Sequence, residues 1–346
     1  MKEKKLDIIT FDQLEKFGFK YINCFNRIVF CEIERLIPGS GKKFLVLYHL
    51  AKSFPDLVVQ YLYKESQIDG FAMYPDAYSE IHFMNSILQT YFGLSLTKIV
   101  VSEEALVQTI YYLLDRNQVA FVPIDLSTIY YSENYLESPM THWLYCYGHF
   151  SEKKIIHILD QMHFGINSVI YKPFVISNEM LTSSHKSYST LDSPSANSIF
   201  TIERFHDEIL HQKTNDFFEI LYSLIQTLAE VVQNKANVRV IEWDAFMNDD
   251  FEMMFSLRYI KEIYHSFLLE LLEPSITEQD KKVINYYYLN IRELWDEVSR
   301  DCQLSIYRDK PLNKSKFFDV YEHIMKQESL YFSTISKCLS IYMQGE

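Results

Sequence analysis

Three residues of this 346-residue chain combine into a set with chemistry: Cys24, His142 and Asp160. A thiolate attacks acyl carbonyls, an imidazole takes and returns the proton, and a carboxylate behind the ring fixes its tautomer. Cys24 opens the segment CFNRIVFCEIERLI, in which Phe25, Ile28, Val29, Ile33, Leu36 and Ile37 recur at helical spacing. Asn23 suits the N-cap, which puts Cys24 at the first helical position, and Pro38-Gly39-Ser40-Gly41 stops the helix. A sulfur there sits beside free backbone N–H groups and the positive end of the helix dipole, both of which favour its anion. The same N–H groups can donate to the oxyanion of an acyl group held on that sulfur. A cysteine taken singly is more often a packing residue; the helix start followed by a later His and a later Asp singles out Cys24.

The imidazole and carboxylate come from Gln118–Asp160, which reads as three strands. Val119–Asp125 is apolar and ends on a carboxylate, and His142–Phe150 and Lys154–Asp160 flank the polar turn Ser151-Glu152-Lys153. Alternation puts His142, Leu144 and Cys146 on one face, and Ile156, Ile158 and Asp160 likewise. A three-residue turn at Phe150–Glu152 pairs His142 directly with Asp160. A turn one residue later leaves them diagonal neighbours, still within reach.

Composition bounds the rest. Hydrophobic content of 48%, 23% charged residues and few glycines (8) and prolines (9) describe a globular chain rich in long helices. The formal charge of −13, concentrated in the second half, argues against general nucleic-acid binding. Lys42-Lys43 and Lys153-Lys154 are the local basic pairs, and solvated turns explain both. Five cysteines without a C-x-x-C pair make neither a disulfide framework nor a zinc site. MKEKKLDII leads into no apolar signal segment and no run of 18 apolar residues exists, so a cytoplasmic protein with no membrane span is expected.

In chain order, KKLDII suggests a short strand, Ala77–Tyr91 and Glu103–Leu114 suggest amphipathic helices, and residues 96–101 suggest a strand between them. NSVIYKPFVI is extended. Thr182–Ser198 is rich in Ser and Thr and reads as a linker. Helical periodicity follows over Glu203–Gln233, Asp244–Leu272, Thr277–Gln303 and Ser315–Met343. The expected organisation is an α+β domain over 1–181, a linker-like segment over 182–199 and a helical domain over 200–346.

Other residues carry weaker signals. Asp125, beside Tyr130 and Tyr131, suits either a cationic amine at a pocket mouth or the capping of a turn. His149 and His157 fall on the strand face opposite the three reacting residues, and His163 follows them; packing or surface roles suit all three. His206, Asp207 and His211 lack a third metal ligand, so no metal site is expected.

The order Cys, His, Asp is that of papain-like cysteine enzymes. More specifically, VPIDLSTIYYS followed by HWLYCYGHFSEKKIIHILD is similar to the N-terminal domain of the butirosin-type acyltransferases, and resembles also the bacteriocin-leader peptidases. The resemblance spans about half the chain. It implies a papain-like fold, in which an N-terminal helix bearing the Cys packs on an antiparallel sheet bearing the His and Asp, with a mostly helical C-terminal region. It matches Cys24 to the nucleophile, His142 to the base and Asp160 to the orienting carboxylate. It further implies an amide synthase of nonribosomal-type pathways, moving an acyl chain from an acyl or peptidyl carrier protein to a small-molecule primary amine. The donor rides on the carrier's phosphopantetheine, and no further cofactor is implied. Two departures stand out: no Gln stands among Gly18–Asn23, just before Cys24, leaving Asn23 as oxyanion donor or plain N-cap, and Phe25 stands where the leader peptidases carry Gly. A peptidase or thioesterase with the same triad, and a catalytically dead binding module, are the alternatives.

Overall fold

The computed structural model describes residues 3–8, 24–52, 81, 84–85, 87–132, 135–137, 139–163, 169–191, 196–204, 217–235, 251–273, 276–308 and 313–345. The chain is α+β, with an antiparallel sheet and many helices. Two compact units divide it: Met1–Phe44 with Pro75–Leu210, and Leu45–Tyr74 with His211–Glu346.

The first unit is built on a seven-stranded sheet. Its strands are β1 (Lys4–Lys5), β2 (Leu94–Val100), β3 (Ala120–Asp125), β4 (Thr141–Phe150), β5 (Ile155–His163), β6 (Val169–Ser177) and β7 (Ser198–Arg204). The order is β2-β7-β3-β4-β5-β6, with β1 pairing β4, and every pairing is antiparallel. β3 is buried along its whole length, so its apolar run AFVPID has no polar face to alternate with. Gly148 lies where β1 crosses β4: a Cβ there would stand 2.6 Å from the Lys4 carbonyl oxygen, so only glycine lets the two backbones approach.

Helix α1 (Cys24–Leu36) packs on one face of this sheet. Phe25 lies 4.5 Å from Trp143 and 6.3 Å from both Phe121 and Phe200, ring centre to ring centre. Strand pairing puts those three sheet residues on one face: Phe121 is opposite both Tyr145 and Phe200, and Pro123 is opposite Trp143. Burying an aromatic side chain of this size stabilises by roughly 2–3 kcal/mol. α2 (Gly41–Lys52) follows, and the boundary between the two units falls within it. α3 (Leu106–Asp115) buries Leu106, Ile110, Leu113 and Leu114, and stacks Tyr111 on His149 at 4.3 Å.

The Ser/Thr-rich stretch over 182–199 is not a linker. Its first eight residues belong to α4 (Asn178–Ser189), and β7 begins at Ser198. Ser177 caps α4 by accepting from the Met180 N–H, and Leu181, Ser184, His185 and Tyr188 form its buried face. Polar composition misleads here because the serines bond back into their own helix, Ser184 Oγ to the Met180 carbonyl and Ser189 Oγ to that of His185. The division between units lies instead at 210/211, with residues 45–74 in the second unit. Glu203, expected to open a helix, lies in β7.

The second unit contains α5 (Phe217–Lys235), α6 (Phe251–Leu272), α7 (Glu278–Tyr307) and α8 (Lys314–Gly345). α8 packs against both α5 and α7, and α6 against α7. Among the described residues no helix is long and apolar enough to cross a membrane.

Candidate active site

Cys24 is the first residue of α1 and is half-buried, whereas His142 and Asp160 are 2% and 1% exposed. His142 Nε2 donates to Asp160 Oδ1 at 2.6 Å. The Cys24 sulfur lies close enough to the same ring to raise its pKa. With Nε2 engaged by the carboxylate, Nδ1 is the nitrogen left to face the sulfur. The three residues singled out from the sequence therefore form one connected set.

A strand irregularity makes this possible. The turn between β4 and β5 is four residues long, a 3-10 turn over Ser151–Lys153 followed by Lys154 at φ 52°, so Phe150 pairs with Ile155. That register alone sets Asp160 opposite Tyr145, on the face that carries helix α1. A bulge between Cys146 and Gly148 shifts the pairing by one, so that Tyr145 pairs with Leu159 and Cys146 with Ile158. Carried one step on, Asp160 lies beside Leu144, diagonal to His142 and on its face. The direct pairing through a turn at Phe150–Glu152 does not occur; the diagonal arrangement does.

Burial alone would push the His142 pKa down. The charge and hydrogen bond of Asp160 outweigh it and, with the Cys24 sulfur adding to the effect, raise it to about 10. At neutral pH the ring therefore carries both protons, between a carboxylate on one side and a sulfur on the other. This is an arrangement that keeps a nucleophile and its proton donor in contact.

Tyr131 joins the set from the β3–β4 connection. Its hydroxyl donates to Asp160 Oδ2 at 2.5 Å, and its ring stacks on Phe174 at 4.3 Å with planes 3° apart. Burial, followed by the Asp160 charge, pushes the phenol pKa well up, so the hydroxyl keeps its proton. Tyr131 thus turns inward to the carboxylate and away from the pocket-mouth role. Tyr130 is 55% exposed and meets Tyr131 edge to face.

Asp125 takes its turn-capping alternative, not an amine-binding one. Oδ1 accepts from the N–H and hydroxyl of Ser127 and from the Met140 N–H, and Oδ2 accepts from the Ser187 hydroxyl. Burial works against its charge, but these donors, Ser187 foremost, hold the carboxyl below its ordinary range. A carboxylate with four donors and 1% exposure has no room for an incoming ammonium.

Asn23, His206, Asp207 and His211 lie outside the described residues, as does the side chain of His163. His149 and His157 bind carboxylates elsewhere, Asp115 at 2.9 Å and Glu3 at 2.7 Å, and do not join the site. Cys31 and Cys146 are buried thiols whose pKa burial pushes up. Among the described residues no group of three or more His, Cys, Asp or Glu side chains could hold a metal ion. Compared with known proteins, the sequence matches no protein-family model and no curated protein.

Proposed function

We propose that the chain is a papain-like cysteine acyltransferase that forms amides from carrier-bound acyl thioesters. The observation that supports this reading most is His142 held between the Cys24 sulfur and the Asp160 carboxylate.

In the proposed reaction the Cys24 thiolate attacks the acyl carbonyl of a thioester on a carrier protein's phosphopantetheine arm. The oxyanion rests on the backbone N–H of Cys24, at the helix tip. The C–S bond to the carrier breaks, and His142 protonates the leaving thiolate. A primary amine then attacks the acyl-enzyme, its proton passes to His142, and the Cys24 thiolate leaves as the amide is released. Amines must compete with water for the acyl group, and the burial of His142 and Asp160 keeps the proton-handling side of the site dry. A cytoplasmic setting, where thiols stay reduced, belongs to this reading.

Incubation with an acyl-thioester donor, followed by intact-mass and peptide-mass analysis, tests it. The expected result is one acyl mass on Cys24, absent in Cys24→Ala, and an amide when a primary amine is added. A free acid in place of the amide assigns the same triad to a thioesterase or peptidase. No adduct on Cys24 from any thioester leaves only the binding-module alternative.

A further inference from the structure

The connection from β3 to β4 starts and finishes on one carboxylate. Asp125, the last residue of β3, takes hydrogen bonds from Ser127 at the start of the connection and from Met140 at its end. Ser187 and Ser184 of α4 add two further ties, the first to Asp125 Oδ2 at 2.7 Å and the second to Thr128 Oγ1 at 2.7 Å. These bonds fix both ends of the connection, and Tyr131 lies three residues beyond Thr128. The Tyr131 ring is held a second time by Phe174. That residue sits opposite Ile158, while Lys172 sits opposite Asp160, so Phe174 shares the sheet face of Asp160.

Each oxygen of the Asp160 carboxylate meets a donor: His142 Nε2 at 2.6 Å on Oδ1 and the Tyr131 hydroxyl at 2.5 Å on Oδ2. Rotation of the carboxyl about its Cβ–Cγ bond would exchange or break both. A donor fixed in place on one oxygen therefore fixes the direction of the other. We propose that Tyr131 is a positioning residue, which holds the Asp160 carboxylate so that Oδ1 stays on His142 Nε2 and the ring presents Nδ1 to Cys24. This rests on the reading of Cys24, His142 and Asp160 as one reacting set. It adds to that set a loop device, anchored by Asp125, whose task is orientation and not contact with substrate. A hydrogen bond to a charged acceptor of this kind accounts for a rate factor of about ten when only its donor atom is removed.

The test uses the full chain with Tyr131→Phe, which keeps the ring and its stacking and removes one oxygen. Two readouts are taken: the low-field NMR resonance of the His142 Nε2 proton, assigned with His142→Gln, and the rate of Cys24 acylation against thioester concentration. The expected result is an upfield shift and exchange broadening of the resonance. The limiting acylation rate is expected to fall about tenfold, with the half-saturating donor concentration unchanged. A resonance that stays in place overturns the proposal. A downfield shift overturns it as well, because it means that Tyr131 only competes with His142 for the carboxylate. Phe174→Leu leaves the hydroxyl but removes the stacking shelf, and gives a smaller upfield shift; it decides the matter alone if Tyr131→Phe fails to fold. If wild-type Cys24 takes no acyl group, the acyl-transfer reading fails by itself, while the resonance still reports on Tyr131.

Discussion

Tyr145 donates a 2.8 Å hydrogen bond to Glu32, and so joins the strand that carries His142 to the helix that carries Cys24. Glu32 is fully buried and receives two more bonds from Arg35, Nε at 2.7 Å and Nη2 at 2.6 Å. Burial raises the Glu32 pKa, while Arg35 and Tyr145 pull it back. Tyr145→Phe removes one donor from a buried carboxylate and is expected to cost about 1–3 kcal/mol. Glu32→Ala removes the carboxylate partner of Arg35, which keeps a 3.2 Å bond to the Asn117 carbonyl and 18% exposure; its expected cost is about 3 kcal/mol. Urea unfolding of the two variants against wild type checks both values.

The raised pKa of His142 sets a pH window for stability. The unfolded ring titrates near its ordinary 6.5, the folded one at about 10. Between these values the folded state holds a proton that the unfolded state has released. The stabilisation is thus complete below about pH 6.5, declines as pH rises and is gone above about pH 10. The slope through the window is about 1.4 kcal/mol per pH unit. Asp160→Asn removes the largest cause of the upward shift, so its unfolding free energy is expected to fall less than that of wild type between pH 7 and 10. Denaturant titrations at several pH values measure the difference.

Thiol chemistry separates Cys24 from its neighbours. Cys31, Cys146 and Cys338 are 1%, 0% and 5% exposed, and burial pushes the pKa of each thiol up, that of Cys338 to about 11. Cys24 is half-buried at a helix tip beside a protonated imidazole. Timed alkylation at neutral pH with peptide mapping is expected to label Cys24 at least about tenfold faster than those three, and His142→Ala is expected to remove most of that advantage. Labelling of Cys338 at the same rate as Cys24 would sink the proposed role.

The reach and limit of the sequence can be traced to particular residues. Cys24 was visible because a helix start has its own grammar, and His142 with Asp160 because strands alternate with a period of two. The bulge beside Gly148 was not visible, although without it Asp160 would face the wrong side of the sheet. A one-residue insertion leaves apolar runs looking alike on either register, so pattern alone cannot place it. The surroundings of Tyr131 and Asp125 are not legible from their neighbours in sequence, because their partners, Asp160, Phe174 and Ser187, lie far along the chain. α4 was lost to its serines, whose polarity hid a buried face at Leu181, His185 and Tyr188.

The helical unit carries its own pH sensitivity, centred on His265. Nδ1 accepts the Tyr331 hydroxyl proton at 2.9 Å, and Nε2 donates to Asn285 Oδ1 at 2.9 Å. The ring also stacks on Tyr288 at 3.7 Å, so α6, α7 and α8 all meet on it. One turn earlier, Lys261 forms a buried ion pair with Glu328. These bonds suit the neutral imidazole, and burial lowers its pKa to about 4 against an ordinary 6.5. Here the unfolded state takes up a proton that the folded state refuses. Stability is therefore complete above about pH 6.5 and falls as pH drops toward 4, by up to about 1.4 kcal/mol per pH unit. Amide exchange of α6 in the full chain, at pH 7 and pH 4.5, reads this loss once the intrinsic exchange rates are divided out. His265→Asn starts from lower protection, since one ring cannot be replaced by one amide across three helices. It should then lose clearly less on acidification than wild type. Equal losses in the two proteins would mean that carboxylates, and not His265, govern the acid response of this unit.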